Sequence, residues 1–212
     1  MSTVFTVIRH GETAANVNCV IQGQSDVPLS PAGEKQALLL GRRWRGRRFD
    51  AVYSSDLSRA LRTAELVTGG AEIVPTPELR EMDLGAWVGR TTAEIAEKFA
   101  DEWRAFRSAT LDCRATGGET RRELLERTTR FFRNAAAKHP GQNVLVVTHG
   151  GVLRVFFLML MGGSLNEGAL LPSTGNTGIS TVRYDPDTDR WRLITWNDTA
   201  HLDMLLSGDD VY

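Results

Sequence analysis

The chain has 212 residues, 42% of them hydrophobic and 24% charged, and its 25 Lys and Arg against 26 Asp and Glu give a formal net charge of -1. This is globular composition, which excludes a disordered chain, a collagen-like repeat and a polyelectrolyte tail. A charge so near zero exerts no general pull on nucleic acid or on an anionic membrane, so an anion must be held by a local arrangement of arginines.

Taken in chain order, Val4 to Ile8 is an apolar, mostly β-branched run that reads as a buried strand, and it ends in the loop Arg9-His10-Gly11. Ser30-Pro31 with Glu34 in the next turn is the start signal of a helix, which should reach about Gly46. Its basic end, with Arg42, Arg43, Arg45, Arg47 and Arg48, could be a nucleic-acid patch. We read it as a solvated last turn whose cations complement the helix dipole. Phe49 to Ser54 reads as a second strand, and Ser55-Asp56 as the cap of a helix reaching about Val67. Ala71 to Val74 reads as a short third strand closed by Pro75 and Pro77. Helices are predicted from Thr91 to about Phe106 and from Glu119 to Lys138, separated by Thr116-Gly117-Gly118.

Asn143 to Thr148 is the most hydrophobic strand candidate, and His149-Gly150-Gly151 leads from it into a buried helix ending near Gly162-Gly163. The run Val155 to Met161 in that helix is far short of the roughly 20 residues that cross a bilayer. Ile179 to Tyr184 and Trp191 to Trp196 read as a terminal hairpin across Asp185-Pro186-Asp187. Strands alternating with helices predict a three-layer α/β/α sandwich with a mostly parallel central sheet. With no repeat or linker, residues 1–212 form one predicted domain. Cys19 and Cys113 read as buried or half-buried free thiols. With no basic leader and no small-residue cleavage site, a cytoplasmic protein is expected.

Two histidines share one setting, because Arg9-His10-Gly11 and Thr148-His149-Gly150 each follow a predicted buried strand. In a parallel sheet the carboxyl ends of the strands lie on one edge, where His10 and His149 can meet in a crevice. The helix after Ser54 starts on the same edge and carries Arg59 in its first turn, which together with Arg9 makes a cationic clamp suited to phosphate. The sequence holds no HExxH, no CxxC pair, no Walker loop and no nucleophile-elbow serine, so neither a metal nor a nucleotide cofactor is expected.

Arg9-His10-Gly11-Glu12-Thr13, with Asn16, Gln22 and Gly23 downstream, resembles the signature of the histidine phosphatase superfamily, also called phosphoglycerate mutase-like. Ser54 to Glu65 resembles its second-arginine segment, and Leu79-Arg80-Glu81 with Gly85-Ala86-Trp87 its acid loop. Gly117 to Thr120 and Thr148-His149-Gly150 resemble its later motifs, and the tail from Asn176 resembles the phosphatase branch. The resemblance implies that His10 is the nucleophile and Glu81 the proton donor, while Arg9, Arg59 and His149 hold the transferring phosphoryl group. It also places Asn16, Gln22, Gly23 and Gly150 around the phosphate.

The chemistry agrees, because phosphoryl transfer needs chiefly positioning and cationic clamping of three oxygens. A histidine nucleophile needs one unprotonated nitrogen, its other nitrogen being fixed here by a backbone carbonyl near Gly11. His149 is expected to be cationic, and a buried Glu81 beside an anion to have its pKa raised. Asp83 is the competing acid. Glu12 reads as structural, His139 as a solvated residue at a helix end, and His201 as a packing or surface residue. The mutase-type insertion after the acid loop is absent, so the expectation is a phosphatase acting on a small phosphorylated substrate, with no nucleic-acid or membrane partner. The alternatives are a cofactor-dependent phosphoglycerate mutase and a catalytically weak phospho-ligand binding protein. A lid subregion is expected near residues 85–121, offering Trp103, Phe106 and the cations Arg104, Arg107, Arg114 and Arg121. Ala15 and Val88 depart from an aromatic and an acid common in relatives, and bear on substrate identity. The terminal hairpin leaves a possible edge for a homo-oligomer.

Overall fold

The structure, a computed structural model, describes residues 1–108, 111–162 and 172–203. Six strands form one sheet in the order β3-β2-β4-β1-β5-β6, with β1 Thr3–Arg9, β2 Ala51–Ser54, β3 Val74–Pro75, β4 Asn143–Thr148, β5 Ile179–Asp185 and β6 Arg190–Asp198. The first four in that order run parallel, and the terminal hairpin adds β5 antiparallel to β1 and β6 antiparallel to β5. The described helices are α1 Ala14–Val17, α2 Pro31–Arg43, α3 Ser58–Thr68, α4 Thr92–Lys98, α5 Ala100–Arg107, α6 Arg121–Lys138 and α7 Gly150–Leu160.

The period of two in the central strands sorts their side chains to opposite faces. Phe5 and Val7 of β1, with Val144 and Val146 of β4, pack on Phe131, Phe132 and Phe156 of α6 and α7. Ile8, Leu145 and Val147 pack the other way, on Ala37 and Leu40 of α2 and Ala60, Ala64 and Val67 of α3. Both faces are therefore covered, which is why these strands read as unbroken apolar runs. The predicted three-layer α/β/α sandwich is the observed architecture.

Several elements differ from the sequence reading, each for a tertiary reason. The helix expected from Thr91 to Phe106 is two, α4 and α5, because Phe99 leaves helical geometry (φ -129, ψ 41) and packs with Trp87 and Ile95. Ser55 and Asp56 do not cap α3, whose cap position is Leu57 with no side-chain bond. They face His149 and Arg80 instead. The third strand is only Val74–Pro75, and α2 stops at Arg43 rather than Gly46. Its basic end is not simply solvated. Arg43 pairs with Asp198 at 2.7 Å, and Arg47 donates to Thr6 while lying over the rings of Trp44 and Phe49. Cys19 is exposed rather than buried, and Cys113 is half-buried. Gly163, where the last buried helix was expected to end, lies outside the described residues, and α7 ends at Leu160.

Candidate active site

Parallel pairing aligns Arg9 of β1 with Thr148 of β4, so the residues that follow them, His10 and His149, emerge side by side at the carboxyl edge. Their rings lie 5.1 Å apart between centroids, and both are buried. The His10 backbone is held from both flanks: its N–H donates to Thr148 O at 2.9 Å, and its carbonyl accepts from Asn176 Nδ2 at 3.0 Å. Thr177, at the left-handed φ of 55°, also turns its N–H toward this carbonyl, at 3.3 Å.

His10 Nδ1 lies 2.6 Å from Gly11 O, the backbone carbonyl that the sequence pointed to. A carbonyl only accepts, so the bond fixes the proton on Nδ1 and leaves Nε2 unprotonated, without a partner among the described residues. Burial, and then the charges of Arg9 and Arg59, push the His10 pKa well below its ordinary value.

His149 differs from its expected cationic form. Burial first, then His10 and the neighbouring arginines, hold its pKa well down, so in the unliganded protein the ring is neutral. Its Nε2 lies 2.7 Å from Ser55 Oγ, while Nδ1 is buried without a partner.

The two arginines share this incomplete bonding. Arg9 donates through Nη1 to Thr174 O at 2.7 Å, and Arg59 through Nη1 to Ser25 O at 2.7 Å and through Nη2 to Gly23 O at 2.8 Å. In both, the buried Nε–H has no acceptor. Unsatisfied buried donors are costly, and two of them beside an unpartnered imidazole nitrogen at one cavity define an anion cradle.

Glu81 stands half-buried at the start of α7. The Gly151 N–H lies 3.0 and 3.1 Å from its two carboxylate oxygens, and Met82 N–H donates to Oε1 at 2.7 Å. A side chain at Gly151 would put its Cβ onto Glu81 Oε1, so only glycine lets the carboxylate sit there. Asp83, the competing acid, does not line the cavity; it accepts from Gly85 N, and its backbone bonds with Glu119.

The remaining residues named from sequence also gather here. Asn16 Oδ1 accepts from Thr13 N at 3.1 Å and Asn176 Nδ2 at 3.2 Å, and Gln22 Oε1 lies 3.1 Å from Thr13 Oγ1, while neither amide NH2 group has a partner among the described residues. Gly23 takes φ +50 with Val88 packed against it, a fit that a Cβ would break. Arg9, His10, Asn16, Gln22, Gly23, Arg59, Glu81 and Gly150 all line one cavity of about 620 Å³. His149 is buried beside His10 behind them.

Among the other histidines, His201 is a packing residue, 2.8 Å from Thr177 Oγ1, and burial lowers its pKa to about 4. His139 is not solvated as expected; it is buried, with Nε2 2.8 Å from Tyr53 OH and Nδ1 2.7 Å from Gln142. Glu12 accepts from Ser30 Oγ and ties the signature loop to α2, the structural part it was given.

The sequence reading missed Arg127. This arginine of α6 donates to the carbonyls of Glu78, Arg80 and Glu81 and pairs with Glu119 at 2.6 Å, so it holds the whole acid loop. Arg80, paired with Asp56, ties the same loop to the start of α3.

Two buried histidines and two incompletely bonded arginines at the carboxyl edge of a parallel sheet define an oxyanion-binding α/β protein. The family model described as histidine phosphatase superfamily (branch 1) matches residues 5–199, and the chain belongs to that superfamily. It is 36% identical over 205 residues to the metal-independent phosphoserine phosphatase of Arabidopsis thaliana, covering 94% of this chain and 83% of that one. To phosphoglycerate mutase-like protein 4 of the same plant it is 34% identical, over 93% of this chain and 86% of the other. The solved structure of Bacillus stearothermophilus YhfR superposes with a TM-score of 0.87 at 31% identity, covering 94% of this chain and 99% of that one.

Proposed function

We propose that this chain is a metal-independent phosphomonoesterase that hydrolyses small phosphate esters through a phosphohistidine on His10. The observation that carries the reading is the 2.6 Å bond from His10 Nδ1 to Gly11 O, which presents an unprotonated Nε2 next to unsatisfied arginine donors.

The Nε2 lone pair forms the P–N bond as the ester P–O bond breaks. The Nε–H groups of Arg9 and Arg59 take the equatorial phosphoryl oxygens, whose charge they offset. A Ser55 hydroxyl that donates to His149 Nε2 sets the proton of that ring on Nδ1, making a third donor to the same group. The departing alkoxide takes a proton from the Glu81 carboxyl. In the second half-reaction the ionised Glu81 removes a proton from water, whose oxygen attacks phosphorus as the P–N bond breaks, releasing phosphate.

Hydrolysis is favoured over a mutase reaction by the short acid loop, which passes from a 3-10 turn at Gly85–Trp87 to α4 at Thr92 without an insertion. Retention of both the nucleophile and the acid favours an enzyme over a phospho-ligand binding protein. We place the protein in the cytoplasm, where its free thiols are suited to a reducing compartment.

The test is initial-rate phosphate release, in EDTA, from p-nitrophenyl phosphate, 3-phosphoglycerate, sugar phosphates and α-ribazole phosphate. Conversion of 3- to 2-phosphoglycerate is followed in parallel with added 2,3-bisphosphoglycerate. EDTA-resistant release supports the proposal. Isomerisation without release makes the chain a mutase, and silence in both leaves a binding protein.

A further inference from the structure

The cavity is more cationic than one phosphate requires. Beyond the cradle its wall includes Arg107 of α5, Arg121 at the start of α6 and Arg154 of α7, while Glu81 is the one carboxylate among the described lining residues. The lid arginines divide into two sets. Arg104 and Arg114, which do not line the cavity, pair with Asp101 at 2.9 Å and with Glu123 at 3.4 Å. Arg107 and Arg154, which do line it, make no ion pair among the described residues. Arg121 lies over the ring of Phe106, 3.9 Å from its centroid, so a second wall of the cavity fixes its direction.

These cations line the same cavity as the phosphate cradle. Burial first, and then the charge of Arg154, lowers the pKa of Arg121, and at Arg9 the same charge opposes the larger upward pull of Glu81. Trp87, 1% exposed and lining the same cavity, holds a buried indole N–H with no acceptor. Like charges gathered on one cavity wall, with an unmet donor on the same wall, are relieved by an oxyanion placed among them. A volume of about 620 Å³ has room for a phosphoryl group together with a substituted carbon skeleton.

We propose that Arg121 and Arg154, with Arg107 at their side, form a second oxyanion subsite that selects phosphomonoesters carrying a further acidic group, a carboxylate or a second phosphate. The inference rests on the phosphatase reading for turnover, but the selectivity can be measured without it.

Matched ester pairs isolate the second oxyanion. O-phosphoserine against phosphoethanolamine and 3-phosphoglycerate against glycerol 3-phosphate differ by a carboxylate, and fructose 1,6-bisphosphate against fructose 6-phosphate differs by a phosphate. The wild type is expected to favour the acid-bearing member of at least one kind of pair by about tenfold or more in kcat/KM, chiefly through KM. Which pair responds identifies the acid. Arg154→Met and Arg121→Met should remove that preference and leave the simpler ester within about twofold, whereas Arg104→Met should change neither. If Arg121→Met disturbs the lid, Arg154→Met and Arg107→Met carry the test.

Calorimetric titration of the same pairs into His10→Ala reads the selectivity with no turnover. Selective binding by a chain that hydrolyses none of the esters would end the phosphatase proposal and keep this one. Equal rates and equal affinities within all three pairs, or a loss in Arg154→Met shared by both members of each pair, would overturn the second subsite.

Discussion

The carboxylate of Glu81 takes the backbone N–H of Gly151 against both its oxygens, at 3.0 and 3.1 Å, so the proposed acid is fixed at the positive end of α7. The absence of a side chain at Gly151 is what permits the approach. Gly151→Ala is therefore expected to displace Glu81 and lower kcat on alkyl phosphates by about 10- to 100-fold. On p-nitrophenyl phosphate, whose leaving group needs no proton, the loss should be small. The ratio of the two rates checks this, and Glu81→Ala should give the same pattern; equal losses on both substrates would make Glu81 structural.

Arg127 supports that acid from behind, through three backbone carbonyls and Glu119. Arg127→Met leaves the half-buried Glu119 carboxylate without its counter-charge and the Glu78 and Arg80 carbonyls without this donor, and is expected to destabilise the protein by about 3 kcal/mol, read from urea midpoints. Arg127→Lys should recover little, since a point charge cannot reach four acceptors at once. Full recovery by lysine would show that charge alone holds the loop.

Arg9, His10 and His149 were legible because they end or directly follow β1 and β4, two short runs rich in β-branched residues, whose pairing brings Arg9-His10 and Thr148-His149 together. Arg127 was not legible, because its partners are mainly carbonyls and a lone arginine in a helix looks like any surface cation. His139 was misread for a similar reason: a histidine before Pro140 looks solvated until β2 places Tyr53 over it. Ser55 and Asp56 resemble a helix cap in sequence, but His149 and Arg80 compete for the same side chains and win. The break at Phe99 has no Gly or Pro to announce it, since a hydrophobic cluster pulls that residue out of the helix. Nothing in the spacing of the lid arginines told which of them face inward.

His10, His149 and His201 all have pKa values lowered mainly by burial, to about 4 for His201. Between about pH 6.5 and those lowered values the unfolded chain binds protons that the folded protein does not, so stability is full above pH 7 and falls as the solution is acidified. The expected result is a falling Tm from pH 7 to pH 5, with a shallower slope in His201→Gln. A Tm independent of pH across that range would contradict the buried neutral imidazoles.

The unsatisfied Nε–H groups of Arg9 and Arg59 predict that inorganic phosphate or vanadate binds the unliganded protein and raises its Tm with ligand concentration. Arg59→Met should abolish that rise, even where its own fold is intact by circular dichroism. A rise that persists undiminished in Arg59→Met would place the anion elsewhere.

The most direct test of the account is the covalent state of His10. Wild-type protein turning over p-nitrophenyl phosphate in EDTA, quenched in base and examined by peptide mass spectrometry, should carry one base-stable, acid-labile phosphoryl group on His10, and His10→Ala should carry none. Equal labelling of the two proteins, or turnover by His10→Ala at the wild-type rate, would contradict it.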